Sequence, residues 1–284
     1  MSLIQIGVII ATSFRRTNLL FNRSLRSVLQ QTYSPDYIVI VDDNHDLNEF
    51  DIIRKKLHLI NNSNIHCIRN FRVKHQSGTG AWNSGADFLQ DKFYNLRQSY
   101  IAILDDDDEW VANYLEKCIH SIETNGVEST KAVFANLVRL HEKFEIYFDL
   151  NIGNLTVENF LIGNPGVQGS NMFFNMLSFF ETGGFDENLK SCTDRDLLIR
   201  FLQKNTLDKI VFINETLVYH YAQSSISITN ISAIKWSGLD FFYNKYITLF
   251  TAEILEKSLQ RAIHYFAYPN SQKILDLFEK HKTK

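Results

Sequence analysis

Residues 100–110 read YIAILDDDDEW: an unbroken apolar run from Tyr100 to Leu104 that passes without a spacer into five consecutive acidic residues, Asp105 to Glu109. An unbroken rather than alternating apolar run suits a strand whose sheet is covered on both faces. Five carboxylates cannot continue into a core, so the chain must reach the rim of its sheet at Leu104. Working outward, the same form recurs upstream at Gln5–Ala11 (QIGVIIA), at Tyr37–Val41 (YIVIV) and at Ile65–Arg69. Between these runs the apolar spacing becomes helical, over residues 17–31, 47–59, 81–90 and, beyond the acidic run, 112–124. This alternation predicts an α/β fold with a mostly parallel central sheet flanked by helices. Ligands of such sheets bind beyond the carboxyl ends of the strands.

After about residue 130 the pattern changes. Residues 131–140 and 142–149 predict a hairpin-like pair, 194–203 a helix, and 209–213 and 217–221 two short strands. The remainder is helical in spacing and aromatic, with Trp236, Phe241, Phe242, Tyr243 and Tyr246 close together. The expected organisation is a domain over residues 1–228 and a C-terminal helical appendage over 229–284, packed on the core. With 284 residues, 45% of them hydrophobic, 22 Phe, 12 Tyr and only 3 Pro, the chain is a well-filled globule and neither a disordered tail nor a fibre.

The balance of 29 basic and 32 acidic residues gives a net charge of −3, so no global field draws the protein to nucleic acid, which is excluded as a partner. Cys67, Cys118 and Cys192 are far apart and lack CxxC spacing, which argues against a disulfide framework or a zinc site and for a cytoplasmic setting. The run Ile6–Ala11 is far below the ~20 residues that span a bilayer, so no transmembrane segment is expected. The aromatic C-terminal helices leave open a peripheral contact at the inner face of a membrane, or a homodimer face.

A tight acidic cluster is easiest to understand when something positive sits in it, and hard oxygen ligands at a sheet rim suit Mg²⁺ or Mn²⁺ when a diphosphate completes the coordination. The plain alternative is a solvated acidic turn. Asp42-Asp43 stands at the same place after the second strand, where a carboxylate can accept from a base or ribose, or simply open an Asx turn. Ser77 to Gly85 (SGTGAWNSG) is a Gly-rich loop entering a helix; it lacks the Walker ending and fails as a dinucleotide fingerprint. A third acidic locus, Asp194 and Asp196, opens a predicted helix, where a carboxylate serves as a cap or, held near an electrophile, as a general base. His220 alone reads as a core residue.

In this order the loci resemble the inverting family 2 glycosyltransferases of the GT-A fold. The resemblance is carried by Val8-Ile9-Ile10-Ala11-Thr12, Ser27 to Thr32, Ile40-Val41-Asp42-Asp43, Gly80 to Gly85, Leu104 to Trp110, Gly183-Gly184-Phe185-Asp186-Glu187 and Asp194-Arg195-Asp196-Leu197, over about residues 4 to 225. It implies that Thr12, Asp42, Asp43, Asn83, Asp105 and Asp106 line a nucleotide-sugar pocket. Asp105 and Asp107 fit the Asp-x-Asp metal motif, with Asp106 or Asp108 sharing that duty because the run of four leaves its register open. Asp194 matches the catalytic base; Asp196 and His220 are further candidates. The implied reaction moves a sugar from a nucleoside-diphosphate donor, UDP first, to a hydroxyl of a saccharide or lipid-linked acceptor with inversion, with Mn²⁺ or Mg²⁺ as cofactor. Trp82 departs from the family, which usually carries Arg before the loop Asn, and Arg69, Arg72 and Lys74 are nearby substitutes for its charge. Two rivals are a sugar-phosphate nucleotidyltransferase, which would want glycines in the Arg15-Arg16 loop, and a non-catalytic nucleotide-sugar binder.

Overall fold

The first strand, β1 (Gln5–Thr12), is buried on both faces. Ile6, Val8 and Ile10 join one apolar cluster with Leu20, Leu25 and Val28, while Ile9 joins another with Ala81, Ala86 and Leu89, so a helix layer covers each side of the strand. The computed structural model describes residues 4–44, 46–72, 78–148, 150–222 and 232–283. From β1 the chain runs into α1 (Thr17–Leu19), a π turn at Leu20–Ser24 and α2 (Leu25–Leu29). Then follow β2 (Tyr37–Asp42), α3 (Leu47–Ile60), β3 (Ile65–Arg69), α4 (Thr79–Gln90), β4 (Ser99–Asp105), β5 (Glu109–Trp110) and α5 (Tyr114–Asn125). The second half comprises β6 (Ala132–Leu140), β7 (Glu145–Tyr147), α6 (Val157–Ile162), β8 (Met172–Asn175), α7 (Met176–Thr182), α8 (Thr193–Leu202) and β9 (Ile210–Tyr221). Helices α9 (Ala233–Tyr246), α10 (Ala252–Phe266) and α11 (Ser271–Lys282) complete it.

Among the described residues, one sheet of nine strands has the order β3-β2-β1-β4-β8-β6-β9-β5, with β7 paired to β6. The α/β reading holds, and β1 to β4 are parallel as expected. Beyond β4 the sheet is mixed, because β8 lies antiparallel between β4 and β6. Neither β8 nor the short helices α6 and α7 follow from the sequence: the apolar stretch 172–180 (MFFNMLSFF) has no period that separates strand from helix. The expected hairpin is present as β6–β7. The two short strands expected at 209–221 are one strand, β9, whose register against β6 shifts on either side of Asn136. Asn214 and Glu215 interrupt the apolar pattern without breaking the strand, as a bulge allows.

Two glycines set the spacing on one face. A Cβ at Gly7 would lie 2.4 Å from Leu89 Cδ1, and one at Gly85 would lie 2.5 Å from Ile9 Cγ2, so α4 sits directly on β1. The C-terminal helices bury Leu239, Phe242, Tyr243, Leu255 and Ile274 in the same cluster as Phe134 and Leu197. The boundary expected at 228/229 lies outside the described residues, as do Lys74 and Ser77.

Candidate active site

Strand register gathers the site. Parallel pairing sets Thr12 opposite Asp42 and Ala11 opposite Asp105, so the ends of β1, β2 and β4 share one rim. Glu109 pairs with Tyr219, which brings His220 beside the acidic run.

The four aspartates turn different ways. Asp106 is buried and accepts from Thr12 Oγ1 at 2.8 Å and from Arg16 Nε at 2.7 Å. Burial raises its pKa to about 6, against the pull of Arg16. Arg16 also pairs with Asp107 at 2.5 Å; burial opposes the guanidinium charge, but Asp106 and Asp107 outweigh it and raise its pKa. Asp108 is fully buried and accepts from Ser170 Oγ, from His220 Nδ1 at 3.0 Å and from the Tyr221 N–H at 3.0 Å. Burial pulls the His220 imidazole down, yet the charge and hydrogen bond of Asp108 win and shift it upward toward imidazolium. Asp105 is left without a cation: burial first, then Asp108, Asp107, Asp194 and Asp106, hold its carboxyl well above the usual range. The positive charge expected at this cluster is thus partly the protein's own, in Arg16, with His220 shifted toward carrying it.

That arrangement bears on a metal. Among the described residues no three His, Cys, Asp or Glu side chains converge as a ready-made cage. Asp106 and Asp108 are committed to protein donors, whereas Asp105 is surrounded by like charge and Asp107 shares one guanidinium. One or two carboxylates completed by phosphate oxygens is a set that Mg²⁺ and Mn²⁺ accept, so the residues fit a divalent cation held together with a diphosphate.

Asp194, in the first turn of α8, is partly buried, and the helix begins without a side-chain cap. No described group is hydrogen-bonded to its carboxyl, which therefore does not cap. Burial pushes it up to about 7, with Lys235 and His220 restraining the rise. Cys192, two residues before, holds a left-handed backbone at φ 63, a strained conformation for a residue with a Cβ. Asp196 faces elsewhere: it accepts from Arg200 Nε at 2.9 Å and from Tyr246 at 2.6 Å and pairs with Lys245, joining α8 to α9.

On the other side of the rim, Asp42 is buried against Arg69 Nε at 3.3 Å, and Asp43 accepts from Asn70 Nδ2 at 2.6 Å. Asn70 in turn accepts from Ser84 Oγ at 2.8 Å. Asn83 exchanges hydrogen bonds with the backbone of Phe185 at 2.9 Å and donates to Glu187, so it ties α4 to the 183–187 loop. Its neighbour Trp82 is 7% exposed, and its indole N–H has no acceptor among the described residues. A Cβ at Gly169 would be 3.7 Å from that indole and 3.6 Å from Asp105 Oδ1, which places Trp82 and Asp105 on one side of the same crevice. Ser170, Asn70 and Lys235 carry no sequence signal; Arg16 stood only as a basic residue after β1.

Comparison with known proteins adds the following. Residues 8–148 match the glycosyl transferase family 2 profile. The Escherichia coli UDP-Glc:alpha-D-GlcNAc-diphosphoundecaprenol beta-1,3-glucosyltransferase WfaP is 36% identical over 104 residues, 37% of this chain and 36% of that protein. The Haloferax volcanii glucosyl-dolichyl phosphate glucuronosyltransferase is 24% identical over 191 residues, 65% of this chain and 56% of that protein. The chain thus spans about a third to just over half the length of these relatives. Among solved structures, S. aureus TarS 1–349 with UDP-GlcNAc superposes with a TM-score of 0.64 at 12% identity, covering 94% of this chain and 74% of that one. The mannosyltransferase PcManGT from Pyrobaculum calidifontis, with GDP-Man and Mn²⁺, gives 0.58 at 13% identity, covering 96% and 73%. At such identities the likeness is one of fold.

Proposed function

This chain belongs to glycosyl transferase family 2, and from that premise we propose that it moves a sugar from a UDP-sugar to a hydroxyl of a lipid-linked or polysaccharide acceptor with inversion. The observation that carries the reading is the nearness of Asp105, which pairs with no described cation, to Asp194, a carboxyl at about 7 that no described group hydrogen-bonds. A base tuned near the working pH is what proton removal from a sugar hydroxyl requires. Asp194 takes that proton as the hydroxyl attacks the anomeric carbon from the side opposite the nucleotide.

Asp105 and Asp107 would hold Mn²⁺ or Mg²⁺, whose charge stabilises the departing diphosphate. His220, whose imidazole Asp108 shifts toward the protonated form, would offer further positive charge to that diphosphate. Asp43 and Asn70 stand on the side of the nucleoside, with the fully buried Asp42 behind them against Arg69, and the Trp82 N–H, which meets no acceptor among the described residues, is left for the donor. The UDP preference follows the relatives named for UDP-glucose and the fold neighbour holding UDP-GlcNAc; the lipid-linked acceptor follows the diphosphoundecaprenol and dolichyl phosphate in the relatives' names. We infer from such an acceptor a cytoplasmic setting at the inner face of a membrane; no helix among the described residues is long and apolar enough to cross one.

Asp194→Asn tests the reading. Transfer from UDP-sugars should fall by about 10²- to 10⁴-fold, the usual contribution of a positioned base, while UDP binding, measured calorimetrically with Mn²⁺, stays unchanged. Retained transfer would remove Asp194 from the mechanism, and a wild type that binds UDP but turns nothing over would make the protein a binding module.

A further inference from the structure

Beside Asp194, α8 and the C-terminal helices bring three cations together with no carboxylate of the described residues in ion-pair contact. Arg195 is buried; it donates to the carbonyls of Phe160 at 2.7 Å and Leu161 at 2.6 Å, and its guanidinium lies 4.1 Å over the Phe242 ring. Lys235, in the first turn of α9, is 8% exposed, and its Nζ stands 4.4 Å from the centroid of Phe266. Arg261, on α10, faces the same ring at 5.6 Å and lies against Gly163, where a Cβ would come 2.7 Å from its Nε. Neither Lys235 Nζ nor the Arg261 guanidinium has a hydrogen-bond acceptor among the described residues. The turn that carries Asp194 ties them in: Ser191 Oγ donates to the Lys235 carbonyl at 3.2 Å, and Arg195 reaches Cys192 Sγ at 3.7 Å.

Like charges gathered out of water are costly unless a counter-charge joins them. Elsewhere the fold supplies one: Arg16 sits on Asp106 and Arg200 on Asp196. Here burial first, and then the neighbouring arginines, depress both Lys235 and Arg261, against the upward pull of Cys192 on both and of the more distant Asp194 on Lys235. The stretch 223–231 that leads into α9 reads QSSISITNI and carries no acid. Arg195 is occupied by two carbonyls, so Lys235 and Arg261 have charge to give to a ligand. A compact ammonium and a planar guanidinium, side by side, suit a phosphate ester or a diphosphate.

We propose that Lys235 and Arg261, backed by Arg195, bind the phosphate or diphosphate group of the acceptor and so set its sugar hydroxyl against Asp194. The assignment rests on Asp194 being the base. It also gives the C-terminal helices a part in catalysis, since two of the three cations come from them.

The test is calorimetric titration of the full chain with inorganic pyrophosphate, without divalent metal, in the presence and absence of saturating UDP. Pyrophosphate should bind in both conditions. Lys235→Met and Arg261→Gln should each weaken it at least tenfold while UDP affinity is unchanged, and Arg261→Lys should keep part of it. Because these changes remove like charge, the ligand-free variants should melt at or above the wild-type temperature; a purely structural role would lower it. Absence of pyrophosphate binding, variants that bind as wild type, or lowered melting temperatures would overturn the proposal. Loss of pyrophosphate binding when UDP is present would also overturn it, since the anion would then be the donor's. Should Asp194→Asn keep its transfer activity while pyrophosphate still binds through Lys235, the base assignment fails and the anion-binding role of the three cations stands.

Discussion

Asp194 makes the rate of transfer a titration. Only its carboxylate form accepts a proton, so at saturating donor the single-turnover rate should climb about tenfold per pH unit at acid pH and level off above about 7. A cation drawn to Asp105 favours the ionised form and should move that limb toward lower pH. A flat profile between about pH 5.5 and 8.5 would contradict the role. At this scale the sequence named the acids and missed their partners. Asp105 to Asp108 are legible because an unbroken apolar run ends on them, although Asp106 and Asp108 turn out to be buried themselves. Which oxygen meets which donor is decided by residues far along the chain: Arg16 reaches Asp106 across 90 positions and Ser170 reaches Asp108 across 62. No local spacing encodes such a pairing, so the donor that each carboxylate meets is legible only in the fold.

Among the elements, α4 is the most tightly constrained by shape. Gly85→Ala gains helix propensity of about 1 kcal/mol, but its Cβ meets Ile9 at 2.5 Å and Val41 at 3.2 Å. Overpacking of a filled core costs about 1–3 kcal/mol, so the variant should be less stable in urea titration; a gain would mean that α4 is free to move off β1. The helices and strands of the first half were readable because unbroken apolar runs and helical spacing alternate cleanly. In the second half, β8 and α7 share one apolar stretch with no punctuation but Asn175, whose side chain both accepts from the Ser178 N–H and donates to the carbonyl of Arg97. A residue that caps a helix and seals a strand end at once looks, in sequence, like an ordinary polar interruption.

For the molecule as a whole, the rim sets the pH dependence of stability. Asp106 at about 6, Asp194 at about 7 and Asp105 all lie above the ordinary 3.8, so the folded state holds more protons than the unfolded one between about pH 4 and 7. Stability from these groups therefore falls as pH rises through that window. The raised His220 adds the same sign, its contribution being lost as pH climbs through its folded value. The metal-free protein should melt higher at about pH 5.5 than at pH 8, and Mn²⁺ with UDP should raise the melting temperature more at pH 8, where the rim carries most negative charge. Scanning calorimetry that found the opposite order would mean the carboxyls are already neutralised. The aromatic tail was legible as core-packing, because Phe242 and Tyr243 must bury somewhere; that it also brings Lys235 beside Asp194 was not. The insertion of β8 between β4 and β6 has a further consequence for synthesis. A ribosome must release residue 175 before the edge of β4 finds its neighbour, and the base and the cations arrive later still. A nascent chain halted short of that point carries an open, adhesive strand and no chemistry, which leaves it to chaperones until translation resumes.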